Sequence, residues 1–262
     1  MKEPFRLDNP ILWLEEWMEK FPVTAGFTAS KPNLNIAYHV GDDPLRVYQN
    51  RETIAEEVGI SLEQWVFAQQ LHTAHIHEVT LDDLGAGKHS FESGIPATDG
   101  LYTRESGVVL ATFYADCTPL YFYAPKVGIV GTAHAGWQGT VAGIMQKMLQ
   151  TLKEKEGVSP GDIYIAIGPA IGMDAYRVEE RVIEKVKTST VPGADTTFVE
   201  LWDGQYKFSP KKLNLLQALH EGVPRENILM SSFCTFTDKD LFDSHRRDPK
   251  AGRMMAFIAK NA

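Results

Sequence analysis

The most informative stretch of the chain runs from Thr112 to Gly139, TFYADCTPLYFYAPKVGIVGTAHAGWQG. Its apolar runs, broken by short polar or glycine-containing breaks, predict strand, loop, strand, turn, strand and then the start of a helix. This pattern puts Cys117 in the first loop and His134 at the end of the third strand. Upstream, Asn9-Pro10 followed by Ile11, Leu12, Leu14, Trp17 and Met18 reads as a capped amphipathic helix running toward Phe21. Asp43-Pro44 starts a second helix, with Val47, Ile54 and Val58 on or near one face and Gly59 at its end. From Trp65 two β-rich runs follow, broken at Leu71 to Thr73, so that His72 falls in the connection and His75 and His77 share a strand face.

Downstream, the helix that begins at AGWQG extends through Ile144, Met148, Leu149 and Leu152 to Gly157. IYIAIGPAIG reads as a buried strand running into a tight loop, VEERVIEKVKTS as a helix, and TFVELWDGQYKFS as a hairpin turning at Asp203-Gly204. Ser209-Pro210 caps a further helix, and a strand from Asn227 to Phe233 delivers Cys234. Strands and helices mix without strict alternation, which predicts an α+β fold with mixed sheets, one domain over 1–262, rather than a doubly wound parallel sheet.

Composition adds exclusions. Twenty-six basic against 34 acidic side chains give a net charge of −8, which argues against non-specific binding to nucleic acid or anionic membranes. Two cysteines, Cys117 and Cys234, make no disulfide framework. Glu15, Glu16 and Glu19 interrupt the N-terminal apolar run, so neither a signal peptide nor a membrane span is expected there, and a cytoplasmic protein is.

The residues with chemistry are scattered. His72, Cys117 and His134 are of the types that bind Zn²⁺, and three protein ligands leave a fourth position open. Their spacing is not that of a zinc finger, and a buried free cysteine beside two unrelated histidines is the plainer alternative. Cys117 paired with His134 is equally a nucleophile pair. Asp116 is placed to orient a ligand or to act as an acid or base, or is merely a turn residue. Arg246, Arg247 and Arg253 suit an anionic substrate or a solvated loop. Gly136 opens a helix whose free N–H groups can face an anion. No nucleophile elbow, Walker loop or dinucleotide fingerprint occurs.

The ordered series NLNIAYHVGDDP with Asn50-Arg51, QQLH, ATDGLYT, ADCTP, AHAGWQGT, GPAIG, and SHRRD with GRMMAFI resembles the laccase-domain family. Its members are variously called multicopper polyphenol oxidoreductase, purine nucleoside phosphorylase and peptidoglycan editing factor, and the chain is similar to the YlmD branch. The resemblance implies mixed sheets enclosed by helices, related to a toxin deamidase domain, with His72, Cys117 and His134 as zinc ligands. Catalytic roles are expected for Asp116 and Cys117, and substrate contacts from Asn35, Gly136, Arg246 and Arg253. The implied activity is phosphorolysis of adenosine, inosine, guanosine and methylthioadenosine to base and ribose 1-phosphate, with adenosine deamination. Nucleosides and phosphate are then the partners, and a monomer or weak homo-oligomer is expected. Hydrolytic editing of a peptidoglycan precursor at the same zinc is the alternative. Copper is disfavoured, because a multicopper oxidase requires on the order of ten histidines and a cysteine, while the chain has eight histidines. The sequence departs from the family pattern at the short TASKP segment before Asn33, and at Met173 to Tyr176, where the family has Cys-Cys-Tyr.

Overall fold

A computed structural model describes residues 2–29, 34–202 and 204–261. In chain order its strands are β1 (Arg6–Asp8), β2 (Ile11–Trp13), β3 (Val23–Thr28), β4 (Trp65–Phe67), β5 (Ile76–Glu78), β6 (Gly100–Thr103), β7 (Val109–Tyr114), β8 (Thr118–Ala124), β9 (Ile129–Ala135), β10 (Tyr164–Ile167), β11 (Arg177–Val178), β12 (Phe198–Glu200), β13 (Tyr206–Phe208), β14 (Ile228–Met230) and β15 (Met254–Lys260). The helices are α1 (Glu15–Lys20), α2 (Pro44–Val58), α3 (Trp137–Val141), α4 (Ile144–Glu156), α5 (Glu180–Lys187) and α6 (Pro210–His220). One sheet has the order β1-β2-β3-β15-β7-β4, a second β14-β10-β8-β9-β6-β5, and a small third β11-β13-β12.

The two large sheets stack face to face, which explains why their central strands are buried at every position rather than at alternate ones. In β7, Leu110 and Tyr114 face the core between the sheets, while Val109, Ala111 and Phe113 join a second core beneath Ile54 and Ala55 of α2. In β8, Tyr121 and Tyr123 face inward, and Leu120, Phe122 and Ala124 pack with Met148, Leu149 and Leu152 of α4 and Ala218 of α6. The result is four layers, α2, sheet, sheet, and α4 with α6. The expected mixed-sheet α+β architecture enclosed by helices is the one observed.

Two local expectations change. The Asn9–Pro10 bond is cis and leads into strand β2, which pairs with β3, so that only Glu15–Lys20 is helical; sheet pairing overrides the helical spacing of Ile11, Leu12 and Leu14. The helix after Gly136 is two helices, because Gly143 takes φ 75° and breaks it between α3 and α4. The hairpin of β12 and β13 forms as read, with Gly204 at φ 74°, while Asp203 lies outside the described residues.

Candidate metal centre

The link from β4 to β5 and the link from β7 to β8 both cross from the first large sheet to the second. His72 lies in one crossing and Cys117 in the other. His134 sits on β9, opposite Pro119 of β8. The crossings therefore deliver all three side chains to one place, where one imidazole nitrogen from each histidine and Cys117 Sγ lie within 4.8 Å of one another. A tetrahedral zinc sphere with bonds near 2.0–2.3 Å sets neighbouring ligand atoms about 3.5 Å apart, so small side-chain movements suffice to close the set. Two imidazoles and a thiol are also the donor chemistry zinc takes. His134 is buried, Cys117 half-buried and His72 exposed, which leaves the fourth side of the trio facing outward.

Asp99 is the residue that makes the cluster rigid. It is fully buried, and its carboxylate accepts from the backbone N–H of Leu71, His72 and Thr73 and from the Thr73 hydroxyl at 2.7–3.2 Å. The same carboxylate meets His134 Nδ1 at 2.8 Å. One side chain thus folds the His72 loop and aims the His134 ring, the arrangement that fixes a ligating histidine's tautomer with Nε2 free for a metal. Burial opposes ionisation of Asp99, but the His134 and Thr73 hydrogen bonds hold its carboxyl below the usual range.

Electrostatics activate the thiol. Burial raises the Cys117 pKa, and the two histidines more than reverse this, bringing it to about 6. Burial likewise lowers His134, while Cys117 and Asp99 push it up to about 9. These shifts favour thiolate and imidazolium, the charge distribution a cation would replace. Gly136 carries a different constraint from the anion seat expected of it. A Cβ on this residue would lie 2.7 Å from His72 Cδ2 and 3.2 Å from Cys117 Sγ, so glycine is required for two ligands to pack against the backbone. The helix it caps, α3, is five residues long, too short to carry an appreciable macrodipole.

Backbone strain collects here. The described non-glycine residues with positive φ are His72 (59°), Ala97 (46°) and Asp116 (81°), two of them in the crossings and the third two residues before Asp99. Asp116 does not present a free carboxylate: its oxygens accept from Thr235 Oγ1 at 2.7 Å, Ser244 Oγ at 3.0 Å and the Arg246 backbone N–H at 2.7 Å. It ties the loop of Cys117 to the loop of Arg246.

Other sequence candidates separate in the same way. Asn35 spends its amide internally, donating to Ala37 O and Asp42 Oδ2 and accepting from the N–H groups of Ala37 and Arg253. It supports Arg253 and retains no group for a substrate. The Arg253 guanidinium donates to the carbonyls of Ala251 and Gly252; burial lowers its pKa, and the neighbouring Cys117 and Asp116 offset this only in part. Arg247 is structural, donating to the carbonyls of Thr235, Phe236 and Phe242. Arg246 stacks over the Tyr176 ring at 5.1 Å and donates to Arg177 O. His75 pairs with Thr98 and His77 with Asp83, so neither joins the trio. The sequence marks Asp99 only through the TDG turn and the ATDGLYT motif and gives it no role in the site; its importance comes from lying opposite His134 across the pairing of Gly100 with Ala133.

Residues 24–261 match the model of the family described as multi-copper polyphenol oxidoreductase laccase. The chain belongs to this family. Among similar members of the family, the purine nucleoside phosphorylase YlmD of Geobacillus stearothermophilus is 45% identical over 229 residues, covering 87% of this chain and 84% of the relative. The purine nucleoside phosphorylase YlmD of Bacillus subtilis is 42% identical, covering 97% and 96%. Among solved structures, the hypothetical protein YfiH of Bacillus licheniformis superposes with a TM-score of 0.94 at 42% identity over 98% of both chains. YlmD of G. stearothermophilus does so with 0.92 at 41% identity, over 99% of this chain and 100% of that one. The laccase-domain fold is thereby that of this chain.

Proposed function

We propose that the protein is a zinc-dependent purine nucleoside phosphorylase, cleaving adenosine, inosine, guanosine and methylthioadenosine to base and ribose 1-phosphate and also deaminating adenosine, and that His72, Cys117 and His134 hold the zinc. The observation that carries the reading is the convergence of these three donor atoms within 4.8 Å in a chain whose relatives at 42% and 45% identity bear that enzyme name. Zinc held there would supply Lewis acidity at the position that faces outward.

The chain's own groups do the rest. Asp99 Oδ1 keeps the His134 proton on Nδ1 and leaves Nε2 to ligate. Cys117 contributes its negative charge without an added base, because the neighbouring histidines already favour the thiolate. The Arg246 and Arg253 guanidiniums bring positive charge to the side where phosphate and the departing base carry negative charge. Asp116 serves by holding Arg246 against the Cys117 loop, since its oxygens are already engaged. Zinc is preferred to copper because the described residues contain one cluster of this kind, with three ligands, whereas copper oxidation of phenols needs several centres.

The test is chromatography of purified protein with adenosine, with and without phosphate. Phosphate-dependent release of adenine is expected, together with a smaller, phosphate-independent yield of inosine. Absence of turnover of any nucleoside by zinc-loaded protein would overturn the proposal.

A further inference from the structure

Beside the trio lies a groove of about 400 Å³, lined among others by Trp137, Tyr176, Glu179, Arg181 and Arg246, which shares only Arg246 with the site described above. It adjoins the metal centre through two covalent neighbours. Trp137 follows Gly136, on whose backbone His72 and Cys117 pack. Arg246 is the residue whose N–H is fixed by Asp116, next to Cys117. Tyr176 is also near enough that the charges of Cys117 and Asp116 act on its phenol.

The lining has two chemical features. Its charge includes Arg181 and Arg246 against Glu179, a local positive excess on a chain whose net charge is −8. Arg181 is paired with Glu179 at 2.7 Å, a contact exposed on both sides and therefore readily exchanged for a better anion. Secondly, two of the guanidiniums lie over aromatic rings, Arg181 over Trp137 at 5.8 Å and Arg246 over Tyr176 at 5.1 Å. A guanidinium seated on a ring offers further stacking surface to a planar heterocycle, and its edge donates to phosphate in bidentate fashion. The volume is that of a small-molecule site rather than of a lone anion, falling in the range of roughly 300–1,000 Å³.

We infer that this groove binds an organic phosphate of the nucleoside 5′-monophosphate class, with the phosphate on Arg181 and Arg246 and the heterocycle along the Trp137 and Tyr176 side. The choice of a purine as the heterocycle rests on the function proposed above; the phosphate and the planar ring rest on the groove itself. The groove shares Arg246 with the proposed reaction but contains none of the three metal ligands, so that AMP binding and metal binding can be lost independently.

Titration calorimetry on zinc-loaded full-length protein tests this with AMP, adenosine and inorganic phosphate as separate probes. AMP is expected to bind at least tenfold more tightly than either adenosine or phosphate, with affinity falling as salt is added. Arg181→Gln and Arg246→Gln should each weaken AMP at least tenfold while leaving the melting temperature nearly unchanged. His72→Ala should keep AMP binding while losing metal. Equal affinity for AMP and adenosine, equal affinity for AMP and phosphate, or full AMP binding by both arginine variants would overturn the inference. AMP binding that survives in a protein with no nucleoside turnover would instead sink the proposed function and leave the groove standing.

Discussion

At the scale of single residues the centre is held by groups that touch no metal. Asp99 is the clearest case, because one buried carboxylate takes backbone donors from Leu71, His72 and Thr73 and also the His134 ring. Asp99→Asn replaces acceptor capacity with an NH₂ that must face those donors. Loss of such a supporting partner typically costs 10–100-fold in metal affinity, so zinc affinity measured by competition with a chromophoric chelator should fall by about that factor. Stability should fall as well, by about 1–3 kcal/mol for buried donors left unmet. Gly136→Ala separates the two effects. Its Cβ would press on His72 Cδ2 and Cys117 Sγ, which can move only by leaving the cluster. Zinc affinity should drop about tenfold or more, while the denaturation midpoint of the metal-free protein stays close to that of the parent. A variant that bound zinc normally would show that the ligands do not need this close approach.

Among elements, the sequence was most legible where local pattern and tertiary context agree. β7, β8 and β9 are largely apolar and buried at every position because the sheets bury both their faces, and Asp43 caps α2 as its position before Pro44 suggested. The sequence was misleading where pairing decided: Ile11 to Trp13 has helical spacing but joins β3 as a strand. The role of Asp99 was hidden for a related reason, since it depends on which strand lies beside β9, and that information is not local. Arg51 shows the same limit. It reads as an ordinary helix residue, yet it is 2% exposed, with its guanidinium 4.2–4.9 Å from the rings of Tyr38, Phe67 and Phe113 and donating to the carbonyls of Ile36, Gly87 and Lys88. It is the polar pin of α2 on the first sheet. Arg51→Met keeps much of the volume but leaves those carbonyls unpaired, and should cost about 2–4 kcal/mol, read as a lower urea midpoint at unchanged slope. Arg51→Lys should recover little of it, because an ammonium cannot reproduce the planar fork.

For the whole molecule, the decisive feature is that the trio is assembled from both large sheets. The crossings that carry His72 and Cys117 run from one sheet to the other, and His134 comes from the second sheet itself. A metal at this point would cross-link segments far apart in sequence, and would bind the native chain alone, because the unfolded chain does not hold the three ligands together. Linkage then makes the metal a source of stability equal to RT ln(1 + [L]/Kd), about 2.7 kcal/mol at a hundredfold excess over Kd and about 4.1 at a thousandfold. For a chain of this size each kcal/mol moves the melting temperature by about 2–4 °C. Removing metal with a chelator should therefore lower the melting temperature by about 5–15 °C, and added zinc should restore it. Because the cores between the sheets and beneath the helices are large and apolar, the metal-free protein should still unfold cooperatively from a folded state, unlike a zinc finger. His72→Ala supplies the control: its melting temperature should resemble that of the chelated parent and should no longer respond to chelator or zinc. A parent protein whose melting is indifferent to both would mean that the three side chains hold no metal, and the proposed chemistry would lose its centre.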